Sequence, residues 1–123
     1  METKLFNELK LKINDEKFIN KSRLLLNAFS RVRRLPFEAL VLFIIQKTNA
    51  SLSVGLSGFF QDQGKQTPTK SSFTQARSFL CFKAFKRLNM LICNLFYQHV
   101  KGKKWKEFRV LSVDGSTLRL PDH

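Results

Sequence analysis

Between Asp62 and Glu107 the sequence has no acidic residue. Solubility is served better by acidic side chains than by basic ones, so a long one-signed block is a poor solubility device and calls for another explanation. The chain has little else that would define a site. Its two cysteines, Cys81 and Cys93, form no Cys-x-x-Cys pair, and His99 and His123 add no ligand spacing. That argues against zinc and against a disulfide framework, and it predicts two reduced, buried cysteines in a cytoplasmic protein. No run of about 20 apolar residues exists. The longest, Ala39 to Ile45, is bounded by Glu38 and by Gln46-Lys47, too short to span a bilayer. The opening METKLFNELKLKIN mixes charged and apolar residues and lacks the apolar core of a signal peptide. Thirteen phenylalanines are present, but none falls in a Phe-rich alternating strand, so no aromatic base-stacking platform is indicated.

What the chain does have is positive charge. Its 22 Lys and Arg against 9 Asp and Glu give a formal charge of +13 on 123 residues, with 43% hydrophobic content. That length can bury one modest core, so one domain plus a fragment of another is expected. The acid-free block holds Lys65, Lys70, Arg77, Lys83, Lys86, Arg87, Lys101, Lys103, Lys104 and Lys106. Such a block is the footprint of a polyanion-binding surface, and double-stranded DNA is the partner it fits, with no membrane association expected.

Hydrophobic spacing predicts helices up to about residue 104. Asn14 and Asp15 can cap a helix through EKFINKSRLLLNAF, where Phe18, Leu25 and Phe29 recur at helical spacing. Pro36 suits the first turn of PFEALVLFIIQKT, which is apolar nearly all round and therefore central. SLSVGLSGFFQDQ reads as a short helix weakened by Gly55 and Gly58, and the polar QGKQTPTK as the turn after it. Thr67 or Thr69 can then cap a helix through TKSSFTQARSFL.

On that helix Phe73, Ala76 and Leu80 form one stripe, leaving Ser71, Thr74, Gln75 and Ser78 opposite, with Lys70 at the edge. Two short helices and a polar turn, the second helix small, polar and basic outside, match a helix-turn-helix whose second helix enters the major groove. Gln75 has the amide to pair bidentately with adenine, and Lys70, Ser71 and Thr74 suit bases or phosphates. Arg77 lies near the apolar stripe and is expected to pair locally. An ordinary corner of a helical bundle would show the same pattern.

The last helix, CFKAFKRLNMLICNLFYQHV, presents Phe85, Leu88, Leu91, Ile92, Leu95 and Phe96 as an inner face, with Lys83, Lys86 and Arg87 near its start. KGKKWKEF follows as a basic linker in which Lys103 and Lys104 face DNA and Trp105 anchors the linker on the helical core. In FRVLSVDGSTLRLP, Phe108, Val110, Ser112 and Asp114 share one strand face and Arg109, Leu111 and Val113 the other. Such a strand should be central in a sheet, with a hairpin turn at Asp114-Gly115.

LPFEALVLFIIQK, SLSVGLSGFF, TKSSFTQARSFL, AFKRLN and FRVLSVDGSTLRLP, in that order, resemble the N-terminal part of bacterial insertion-sequence DDE transposases of the IS-four family. The resemblance runs from about residue 30 onward. It implies a mainly α chain: residues 1–104 a helical DNA-binding domain with a helix-turn-helix-like pair, and residues 105–123 the first β-hairpin of an RNase H-like α/β catalytic domain. It also implies that Asp114 is the first of three catalytic, metal-binding carboxylates. The other two fall later in that family than any residue here, so two-Mg²⁺ phosphoryl transfer is implied for a complete parent enzyme and not for this chain alone. Transposon ends are the implied DNA, and a cytoplasmic, nucleoid-associated protein the implied setting. A free-standing helix-turn-helix regulator, dimeric through its C-terminal hairpin, and a non-catalytic inhibitory fragment are the alternatives.

Overall fold

A computed structural model describes residues 2–30, 35–46, 49–99, 102 and 104–115. Six helices precede a two-stranded ribbon: α1 (Glu2–Ile13), α2 (Glu16–Ser22), α3 (Phe37–Gln46), α4 (Leu52–Gln61), α5 (Lys70–Ser78), α6 (Lys83–His99), β1 (Lys104–Trp105) and β2 (Phe108–Arg109). The chain is mainly helical with a small antiparallel hairpin.

The centre is α3, whose Phe37, Ala39, Leu40, Val41 and Phe43 are buried, as its all-round apolar pattern requires. Pro36 directly precedes it, and the Pro36 carbonyl accepts the first helical bond from Leu40 at 3.0 Å. Phenylalanines join its neighbours to it edge-to-face. The Phe43 ring lies 5.5 Å from Phe59 on α4 and 5.1 Å from Phe73 on α5, an arrangement that adds to area burial through the ring quadrupoles. Phe29 holds a left-handed φ of 59° while its ring packs 5.2 Å from Phe37.

Two features depart from the sequence reading. Residues 2–13 form a helix that buries Leu9 and Ile13 and packs on α6. Its inward positions Leu5, Leu9 and Ile13 are spaced by four, a pattern masked by the exposed Phe6 and Leu11 beside them. The helix expected over residues 16–29 instead stops at Ser22. The fully buried Ser22 hydroxyl donates to the Phe18 carbonyl at 2.6 Å, a back-bond that competes with helix continuation. The backbone then turns to meet α5's exit: Leu24 N–H donates to Phe79 O at 2.8 Å and Cys81 N–H to Ser22 O at 2.7 Å. Leu24, Leu25 and Leu26 are consequently exposed rather than buried on a helix face. Asp15 occupies the N-cap position of α2 without a capping side-chain bond and pairs with Lys12 at 3.5 Å instead.

The inner face of α6 is only partly covered. Ala84 and Leu88 are buried, whereas Ile92 and Phe96 are exposed. α1 follows α6 as far as the last residue of α6, where Lys4 Nζ lies 3.1 Å from His99 Nε2, so Ile92 and Phe96 lie beside that contact rather than under it. Cys93 is exposed and Cys81 is half-buried, so the expectation of two buried cysteines is not met.

Candidate nucleic-acid interface

Two local devices fix α5. The end of α4 is closed by Gly64, whose φ of 63° suits a residue without a Cβ. Lys65 N–H donates to Phe60 O at 2.9 Å and Gly64 N–H to Gln61 O at 2.9 Å, the double bond pattern of a Schellman motif. Thr69 then caps α5, its Oγ1 accepting from Ser72 N–H at 3.1 Å, while Pro68 is buried beneath. The connection, residues 62–69, is longer than the three- or four-residue turn of a helix-turn-helix.

With Phe73 buried against Phe43, α5 can present only its other side to solvent. Lys70, Ser71, Thr74, Gln75 and Ser78 are all exposed there. The Ser78 hydroxyl donates to the Gln75 carbonyl at 2.7 Å, and the Arg77 guanidinium lies 5.9 Å from the Phe73 ring, a local pairing. The polar face is thus assembled on a helix held by its ring contact and its cap.

The remaining basic residues are more dispersed. Lys86 is exposed on the first turn of α6. Arg87 is half-buried and donates from Nη1 to the Lys21 carbonyl at 2.9 Å, satisfying an orphan carbonyl near the end of α2. It therefore has a structural role that its sequence position does not reveal. Lys104 lies on the ribbon, paired to Glu107 at 3.9 Å. The ribbon meets α6 at Tyr97, about 16 Å along the axis from Lys86, so the cations are spread out rather than gathered in one cluster. Lys103 lies outside the described residues.

The C-terminal stretch corrects two expectations. Strand pairing joins Lys104 to Arg109 and Trp105 to Phe108, with the turn on Lys106–Glu107. Residues 110–115, Asp114 and Gly115 included, carry no strand pairing and are exposed. A strand apolar on both faces needs sheet neighbours, and among the described residues its only ladder is with Lys104–Trp105. The partner strand expected beyond Gly115 lies outside the described residues. Trp105 does not anchor on the helical core either: it is 64% exposed, with the Lys106 ammonium 4.8 Å from its ring.

Asp114 stands alone. Among the described residues no group of three or more His, Cys, Asp or Glu converges to hold a metal. One exposed carboxylate does not fit a two-ion centre, and no chemical step is assigned to it. Among the described residues no helix is long and apolar enough to cross a membrane.

Comparison with protein-family models, curated proteins and solved structures finds no match.

Proposed function

We propose that this chain is the DNA-binding N-terminal part of a DDE transposase of the insertion-sequence type, recognising transposon ends through the exposed face of α5. The observation that carries the reading is the face itself. Lys70, Ser71, Thr74, Gln75 and Ser78 are exposed together on a capped helix, within a segment free of acids from residue 63 to residue 106. Hydroxyls, an amide and an ammonium suit the donor and acceptor edges of the major groove, and the exposed Lys86 suits a phosphate. In this reading α4 and α5 act as a helix-turn-helix-like pair despite a connection longer than that motif's turn. Asp114 belongs to the parent enzyme's catalysis in this reading, with Mg²⁺ held only in a complete site, and the protein acts in the cytoplasm at the nucleoid.

Binding to duplex DNA should weaken with salt at a log–log slope of about −0.9 per phosphate neutralised. Against a cognate end sequence, Gln75→Ala should cost about 1–3 kcal/mol and leave random duplex nearly unaffected, while Lys86→Ala weakens both alike. Equal losses on both sequences from Gln75→Ala would reduce α5 to a corner of the bundle, and salt-independent affinity would remove DNA altogether.

A further inference from the structure

The ribbon carries a second surface that the α5 reading does not use. Trp105 and Phe108 are directly opposite each other across the ladder, as are Lys104 and Arg109. Successive strand residues point to opposite faces, so the two aromatic rings share one face and the two cations the other. The cationic face is the one turned to the body of the protein, because the Arg109 guanidinium lies 4.2 Å from the Tyr97 ring on α6. The aromatic face is thereby directed away from α6, and Trp105 and Phe108 remain 64% and 71% exposed.

Two exposed rings on one face of a ribbon are a candidate contact, and the surrounding charge selects the class of ligand. Lys104, Lys106 and Arg109 lie on the same six residues, and the Lys106 ammonium sits 4.8 Å from the Trp105 ring centroid. The nearest acid, Glu107, is at the tip of the turn and faces Lys104 at 3.9 Å, an exposed pair of little energetic weight. A cation against an exposed aromatic pair, with further positive charge on the reverse of the ribbon, complements a ligand that is anionic along its backbone and flat in its side groups. Duplex DNA supplies the first property but hides the faces of its bases, whereas single-stranded DNA supplies both.

We propose that the Trp105–Phe108 pair is a stacking platform for unpaired bases of single-stranded DNA, with Lys106 contacting the adjoining phosphates. The platform is independent of whether α5 reads the major groove. Arg109 is a positioning residue that holds the ribbon on Tyr97, so the rings are presented in advance of binding.

Trp105 is the sole tryptophan of the chain, so tryptophan emission, excited selectively over that of Tyr97, reports on this face alone. The intact protein is titrated with oligothymidylate and, separately, with a blunt duplex of equal phosphate number, both also followed by anisotropy of a labelled strand. Oligothymidylate should quench most of the Trp105 emission, and the duplex should bind while quenching far less. Trp105→Ala and Phe108→Ala should each lower affinity for oligothymidylate about 5- to 150-fold, with duplex affinity unchanged and helical circular dichroism intact. Trp105→Phe should retain most of the single-strand affinity. Gln75→Ala should leave the quenching untouched, which separates failure here from failure of the α5 reading. Equal quenching by both nucleic acids, or unaltered single-strand affinity in both alanine variants, would overturn the platform. A blue shift with rising protein concentration in the absence of DNA would overturn it too, by making the pair a contact between copies of the chain.

Discussion

Two aromatic junctions in this protein use the same side-chain chemistry to opposite ends. At the first, Phe43 meets Phe59 and Phe73 edge-to-face, and Phe43 and Phe73 are buried. At the second, Trp105 and Phe108 face each other across the ribbon and stay in water. The first junction is closed by helices from three sides and fixes where α5 lies. The second is held from behind by Arg109 on Tyr97 and is open in front. Aromatic residues become structure where apolar neighbours converge on them, and become candidate contacts where charge does.

The sharpest way to break that comparison is to remove one ring from each junction. Phe73→Ala should cost about 3–5 kcal/mol in urea denaturation, since it empties a packed site beneath α5. Phe108→Ala, on the open face, should change stability by no more than about 0.5 kcal/mol. Comparable losses would mean that the ribbon is integral to the core and that its exposure is not functional.

How far each junction was legible in the sequence follows from how local its cause is. The spans of α3, α4, α5 and most of α6 were readable because their apolar spacing and punctuation agree: Pro36 before α3, Gly64 after α4 and Thr69 before α5 each act within a few residues. The end of α2 was not, because it is set by bonds to Phe79 and Cys81, far along the chain. The polar face of α5 was legible as a pattern, since burying Phe73 exposes Lys70, Ser71, Thr74, Gln75 and Ser78. The ribbon was missed for a different reason. Asp114-Gly115 is the stronger hairpin signal, and it drew attention from Lys106-Glu107, where two residues separate Trp105 from Phe108. That two-residue spacing between aromatics in a basic stretch was the available clue.

A smaller effect distinguishes the two neighbouring cations on α6. Arg87 bonds the Lys21 carbonyl, whereas Lys86 is exposed. Arg87→Gln should therefore lower stability by roughly 1 kcal/mol, through a lost charged hydrogen bond near a helix C-terminus. Lys86→Ala should leave the urea midpoint where it is and reduce only duplex affinity. If both variants lose affinity at unchanged stability, the contact to Lys21 is incidental and Arg87 belongs wholly to the proposed DNA-binding surface.

The smallest expected effect tests the ribbon's own turn. Lys106 and Glu107 hold φ of 45° and 69°, positive at both central positions as a type I′ turn demands, and left-handed backbone costs a non-glycine residue about 1–2 kcal/mol in a helix. Asn-Gly adopts this turn with much less strain. Lys106→Asn with Glu107→Gly should stabilise the ribbon by under about 1 kcal/mol, seen as slower amide exchange at Phe108 with the urea midpoint of the helices unmoved. The exchange also removes charges, among them the carboxylate facing Lys104 at 3.9 Å. Two further variants account for those losses, because Lys106→Gln and Glu107→Gln neutralise the same sites and leave the strained backbone in place. Amide protection gained by Asn-Gly beyond that of the Lys106→Gln/Glu107→Gln pair measures the backbone alone. A ribbon already held firmly by Arg109 and Tyr97 would show little such gain, and its aromatic pair would then be preorganised from outside the turn rather than within it.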